Sequence, residues 1–201
     1  MIALALAACA STGSYGPTAP VGASILGTWK LNPGHSSDEH QALQQLRKRG
    51  EQRTQHNDSI QSYSAQRDIV PPLPQYRAPI DLSLQAAELH GGEWLHIEQR
   101  GAEIVFSNGS ETRSFTPGAR SVVSVTTGVA DQSSGWKGKE FWIDVKPQVG
   151  PRMIERYRLS DDGMHLIESI SIDSEGRVPK LDLTRVYDPA GEGGKSVPAG
   201  D

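Results

Sequence analysis

Residues 152–172 read RMIERYRLSDDGMHLIESISI, and this stretch decides the fold. Taken every second residue, Met153, Glu155, Tyr157 and Leu159 fall on one side of an extended chain. After Asp162-Gly163, Met164, Leu166, Glu168, Ile170 and Ile172 do the same. A period of two belongs to strands with one buried face, and an Asp-Gly pair supplies the backbone freedom of a tight hairpin. Each apolar face is interrupted once, by Glu155 in the first run and by Glu168 in the second.

Moving outward, the pattern repeats. Glu175-Gly176 precedes a last run, Lys180 to Tyr187, in which Leu181, Leu183 and Tyr187 share a face with Arg185. If Ile172 pairs with Leu181, antiparallel counting puts Glu168 directly opposite Arg185. Upstream, Phe141, Ile143 and Val145 alternate with Trp142, Asp144 and Lys146, and Ile104 and Phe106 precede a Ser107-Asn108-Gly109-Ser110 turn. With Ile25–Leu31 as the first strand, eight to ten short strands are expected, enough for an antiparallel meander to close into a barrel.

Between the first strand and the meander lies a polar insertion, 33–92. Ser36-Ser37-Asp38-Glu39 fits a capping box, which predicts a helix carrying Ala42, Leu43 and Leu46. Pro79 to Leu89 reads as a second short helix, with the extended Pro71-Pro72-Leu73-Pro74 before it. The tail, 189–201, is rich in Gly, Pro and Ala and is expected to be disordered.

The chain has 201 residues, of which 36% are hydrophobic, with a net charge of -4. There is no basic stripe to neutralise phosphates, which argues against nucleic acid as a partner. A single cysteine excludes an internal disulfide. That cysteine has a telling neighbourhood. Met1 to Ala8 is a short apolar run, too short to span a bilayer, and Leu6-Ala7-Ala8-Cys9 resembles the lipobox of bacterial lipoproteins. The resemblance implies cleavage before Cys9 and acylation of its thiol and new amine with palmitate-type chains, several chains being needed for stable anchoring. Residues 1–9 are then a signal-peptide remnant and lipobox, and 10–24, rich in Ser, Gly, Ala, Thr and Pro, a flexible linker. Ala10 is not the Asp that retains such proteins in the inner membrane. In a Gram-negative cell the expected location is therefore the outer membrane, facing the periplasm.

Gly27-Thr28-Trp29 resembles the Gly-x-Trp opening of lipocalins. A lipocalin-like family of environmental bacteria is matched more fully. Its Gly-Thr-Trp-x-Leu-Asn start is Gly27 to Asn32, and its Trp-x-Gly hairpin is Trp136 to Gly138. Its Glu-x-Tyr-x-Leu-Ser-x-Asp-Gly segment is Glu155 to Gly163, and its Arg-Val-Tyr-Asp end is Arg185 to Asp188. The resemblance covers 25–188 apart from the insertion and implies a lipocalin-like β-barrel; no established activity comes with it. It also implies that Arg185 packs across Trp29 to close one barrel end.

No catalytic constellation emerges. The six histidines show no metal-ligand spacing, there is no nucleophile elbow or phosphate-cradling glycine loop, and no cofactor is indicated. What stands out is charge on apolar strand faces. A buried Arg must be paired, because stranding a charge costs several kcal/mol. Trp29, Glu155, Glu168 and Arg185 thus form either a register-fixing ion pair or the polar end of a ligand cavity, and structural pairs are the commoner case. Two functions follow. One is a non-enzymatic binding module for a small apolar or amphipathic ligand, its membrane contact made through the N-terminal lipid. The other is a structural or protein-interaction lipoprotein with a filled barrel, whose protein partner the residues do not name. An interior lined by small residues favours the first, and crowding by Trp29, Phe141, Tyr157 and Met164 the second.

Overall fold

The computed structural model describes residues 15–42, 44–45, 48, 92–125, 128–173 and 180–191. Cys9, the stretch 51–91 with its second expected helix, and 192–201 lie outside the described residues. Within them run β1 (Gly27–Leu31), β2 (Trp94–Arg100), β3 (Glu103–Ser107), β4 (Thr112–Phe115), β5 (Arg120–Val125), β6 (Gly128–Lys137), β7 (Glu140–Pro147), β8 (Arg152–Leu159), β9 (Leu166–Asp173) and β10 (Leu181–Pro189). They form one antiparallel sheet in the order β4-β3-β2-β1-β10-β9-β8-β7-β6-β5. The first strand is threaded between β2 and the last, so chain start and chain end are stitched together at the sheet centre. The sheet curls around an interior, and Arg113 of β4 reaches Glu155 of β8 across it.

Alternation decides what lies inside. Phe106, Phe115, Phe141, Trp136 and Tyr157 meet there as a group of rings with centroids 4.9–6.5 Å apart. That spacing suits edge-to-face and offset packing. Trp29 is buried and donates its indole N–H to the carbonyl of Ile25 at 3.1 Å.

Three local expectations are corrected. Met164 is not a strand residue but 65% exposed. The hairpin holds on for longer than the sequence pattern implies, because Asp162 accepts the Met164 N–H and the Ser160 hydroxyl accepts the His165 N–H, so β9 starts at Leu166. Parity along β9 is unchanged.

The helix after β1 is capped by Asp38, whose carboxylate accepts the Gln41 N–H at 2.8 Å, and not by a box of Ser36 and Glu39. The serines are drawn to a neighbouring strand instead. The Ser36 hydroxyl accepts the Val186 N–H, and the Ser37 hydroxyl accepts the Thr184 N–H, at 3.0 Å each. Glu39 is thereby left to point at the barrel interior.

The linker expected over 10–24 is anchored from Tyr15 on. Gly16 exchanges two backbone hydrogen bonds with Trp136 beyond the end of β5. Tyr15 is buried, stacking on Trp142 and donating its hydroxyl proton to Asp144 at 3.2 Å. Gly135 permits this approach: its φ is +145°, and a Cβ there would sit 2.6 Å from the Gly16 carbonyl oxygen.

Candidate functional site

Five of the twelve largest fully buried side chains in the described residues carry polar groups that converge on one spot: Arg185, Tyr157, Tyr187, Glu155 and Glu168. Strand register explains the convergence. Arg185 lies directly opposite Glu168, Glu168 opposite Tyr157, and Leu31 opposite Tyr187, all facing inward.

Glu155 receives both terminal nitrogens of Arg113, at 2.8 and 2.7 Å, the fork geometry that suits a carboxylate best. Glu168 receives the Tyr187 hydroxyl at 2.8 Å and Arg185 Nη1 at 3.4 Å. The Tyr157 hydroxyl stands between the two carboxylates, 2.7 Å from Glu155 and 2.8 Å from Glu168. A phenol has one proton to give. With both acids ionised, one of those two close oxygen contacts holds no hydrogen, and Glu168 is the acid placed to take up the missing proton as the pH falls. The environment favours the same assignment: burial, aided by the nearby charge of Glu155, pushes the Glu168 carboxyl above its ordinary value despite Arg185 and the two tyrosines. Burial also raises both phenols, so each remains a donor. For the two arginines burial works the other way. The carboxylates outweigh it, Glu155 at Arg113 and Glu168 with Glu39 at Arg185, and keep both charged.

A further contact to Arg185 comes from outside the sheet. Its Nε donates to Glu39 Oε1 at 2.5 Å, and Glu39 belongs to the helix that follows β1. Side-chain exposure is 1% for Arg185 and 35% for Glu39, so this leg reaches solvent while the others do not.

The structure thus brings Glu155, Glu168 and Arg185 together and leaves Trp29 apart. Trp29 pairs with Pro189, four positions along β10 from Arg185, or roughly 13 Å at strand rise. The expectation that Arg185 packs across Trp29 is corrected on that register: the two share a face, not a level. Sequence reading missed Arg113, Tyr187 and Glu39 as site residues. Arg113 was legible, since it alternates with the apolar Phe115; Glu39 left no periodic signal.

A pH dependence follows from Glu168. A carboxyl raised in the fold contributes stability that is complete below its unfolded value, near 4.5, and lost as pH rises through the folded one. Glu168→Gln is neutral at every pH. Its stability relative to the native chain should therefore rise between pH 4 and pH 7 in paired urea unfolding curves. A flat or falling difference would contradict a Glu168 carboxyl raised by burial.

No protein-family model and no curated protein matches the chain. Solved structures similar to it include lipid binding protein 8 of Caenorhabditis elegans (13% identity, TM-score 0.47, covering 82% of this chain and 94% of that one). Another is secretory abundant heat soluble protein 4 of Ramazzottius varieornatus (14%, 0.48, 86% and 99%). A third is the REP1-NXSQ fatty acid transporter (14%, 0.46, 83% and 96%).

Proposed function

We propose that this chain is an envelope lipoprotein, held by acylated Cys9, whose barrel is a non-enzymatic binding module for a small amphipathic molecule with an acidic head. In a Gram-negative cell it would sit on the outer membrane, facing the periplasm. One observation carries the ligand reading: Arg185 is buried, and its Nε partner, Glu39, is a partly exposed carboxylate borrowed from outside the barrel wall. A ligand carboxylate that displaced Glu39 would leave the charge of the cluster unchanged. Its apolar tail would lie beside Leu183 and Ile170, which face inward opposite each other.

Titration calorimetry with oleate and oleyl alcohol tests this. Oleate should bind at least tenfold tighter, the worth of a charge-assisted hydrogen bond of about 1.5–3 kcal/mol. Glu39→Gln should tighten it further by removing the carboxylate that competes for Arg185 Nε. Equal binding of the two, or none, would remove the acid receptor. The second reading, a filled barrel that binds partners only outside, is favoured by the ring cluster of Phe106, Phe141 and Tyr157 in the interior.

For the anchor, the expected result is an acyl mass on the Cys9 peptide and a shift of Cys9→Ser to the soluble fraction. Membrane retention of that variant, with no acyl mass on the native peptide, would end the lipoprotein reading.

A further inference from the structure

The outer face of the sheet is unevenly charged. Strands β5 to β8 turn six Lys and Arg side chains outward against three carboxylates, Asp131, Glu140 and Asp144, in a chain whose net charge is -4. Asp144 is already taken, by the Arg152 guanidinium and the Tyr15 hydroxyl. Between these strands lies an open groove of about 440 Å3 lined in part by Arg120, Val122, Lys146 and Arg152. Register makes the patch continuous: Val122 lies opposite Asp131, and Asp131 opposite Lys146. Arg120 and Lys146 are exposed. Around them stand exposed apolar side chains, Val122 at 69%, Val129 at 41% and Val149 at 45%. Cations mixed with exposed aliphatic groups suit the headgroup layer of a bilayer, where phosphates lie beside the start of the hydrocarbon.

The same face holds the tether. Tyr15 is fixed to Asp144 and Trp142, and Asp144 lines the groove. Tyr15 lies six positions along the chain from Cys9, a span of at most roughly 22 Å even when fully extended. A chain anchored at Cys9 therefore cannot hold this face far from the membrane.

We propose that the outer face of β5–β8 is a membrane-docking surface. Arg120 and Lys146 meet anionic phospholipid headgroups, and Val122, Val129 and Val149 enter the interfacial layer. The proposal rests on the lipoprotein reading for its biological setting, though the surface can be measured without the anchor. Docking of this kind is weak by itself; it acts as a second signal that orients a domain held by lipid.

The experiment uses the full chain as Cys9→Ser, with vesicles of 70% phosphatidylcholine and 30% phosphatidylglycerol, or of phosphatidylcholine alone, in a sedimentation assay at low salt. Binding is expected to the first vesicles only and to fall with salt. Arg120→Ala with Lys146→Ala should lower the partition coefficient about 30-fold, each cation near an anionic surface being worth about fivefold. Lys30→Ala with Arg100→Ala, on strands far from the patch in sheet order, should change little. Equal binding to both vesicles, no binding, or the same loss from the Lys30 and Arg100 pair would overturn the proposal. Because Cys9 is absent from this assay, its failure is separate from that of the anchor, which the acyl mass on the native peptide decides.

Discussion

Arg185→Ala should lower the free energy of unfolding by about 3–5 kcal/mol at neutral pH, the usual cost of breaking a buried ion pair by removing one partner. Arg185 is 1% exposed and Glu168 is fully buried, so the substitution takes the guanidinium from a carboxylate held in a low-dielectric interior. The partner can soften the loss by taking up a proton, which burial already favours. The deficit should then shrink on acidification, whereas a pure packing defect would be the same at pH 4 and pH 7. Arg185→Met separates the two further, because an apolar side chain of similar volume keeps the packing and removes only the charge. Urea unfolding of the three proteins at both pH values provides the check. A deficit below 1 kcal/mol at pH 7 would mean that the cluster does not hold the fold together.

Arg113→Ala should cost a similar amount, about 3–5 kcal/mol, with a different local signature. Strands β4 and β5 stand at opposite ends of the sheet order and are not neighbours in it. The bidentate pair of Arg113 with Glu155 is therefore a direct clamp between the β4 end of the sheet and β8. Removing it takes the bidentate guanidinium from a carboxylate with 0% exposure and frees that end. Amide exchange should accelerate first in β3 and β4, before β8 and β9 respond. Uniform acceleration over all strands would show that the clamp contributes only to global stability.

The strands were legible because burial on one face imprints a period of two that short sequences display plainly. The pairing of Ile172 with Leu181, and so of Glu168 with Arg185, needed only parity and one turn. Met164 was misread because the turn hydrogen bonds of Asp162 and Ser160 leave no mark on hydrophobic alternation. The cap was misplaced because Ser36 and Ser37 had a competing use, bonding the backbone of β10, which no local pattern reveals. Glu39 reaches Arg185 across 146 residues, and a contact of that range becomes visible only once the sheet is assembled. Tyr15 is a similar case. Its surroundings read as linker by composition, yet its ring stacks on Trp142, its hydroxyl bonds Asp144, and the next residue, Gly16, exchanges two backbone hydrogen bonds with Trp136.

The binding of an acid-headed amphiphile at Arg185 is tested most directly by native mass spectrometry of the full chain extracted from its own membrane. The expected result is a population carrying one additional small mass, beyond any covalent acyl groups, that is released on acid denaturation and absent from Arg185→Met. A chain that carries only its covalent mass, or an adduct retained equally by Arg185→Met, would contradict it.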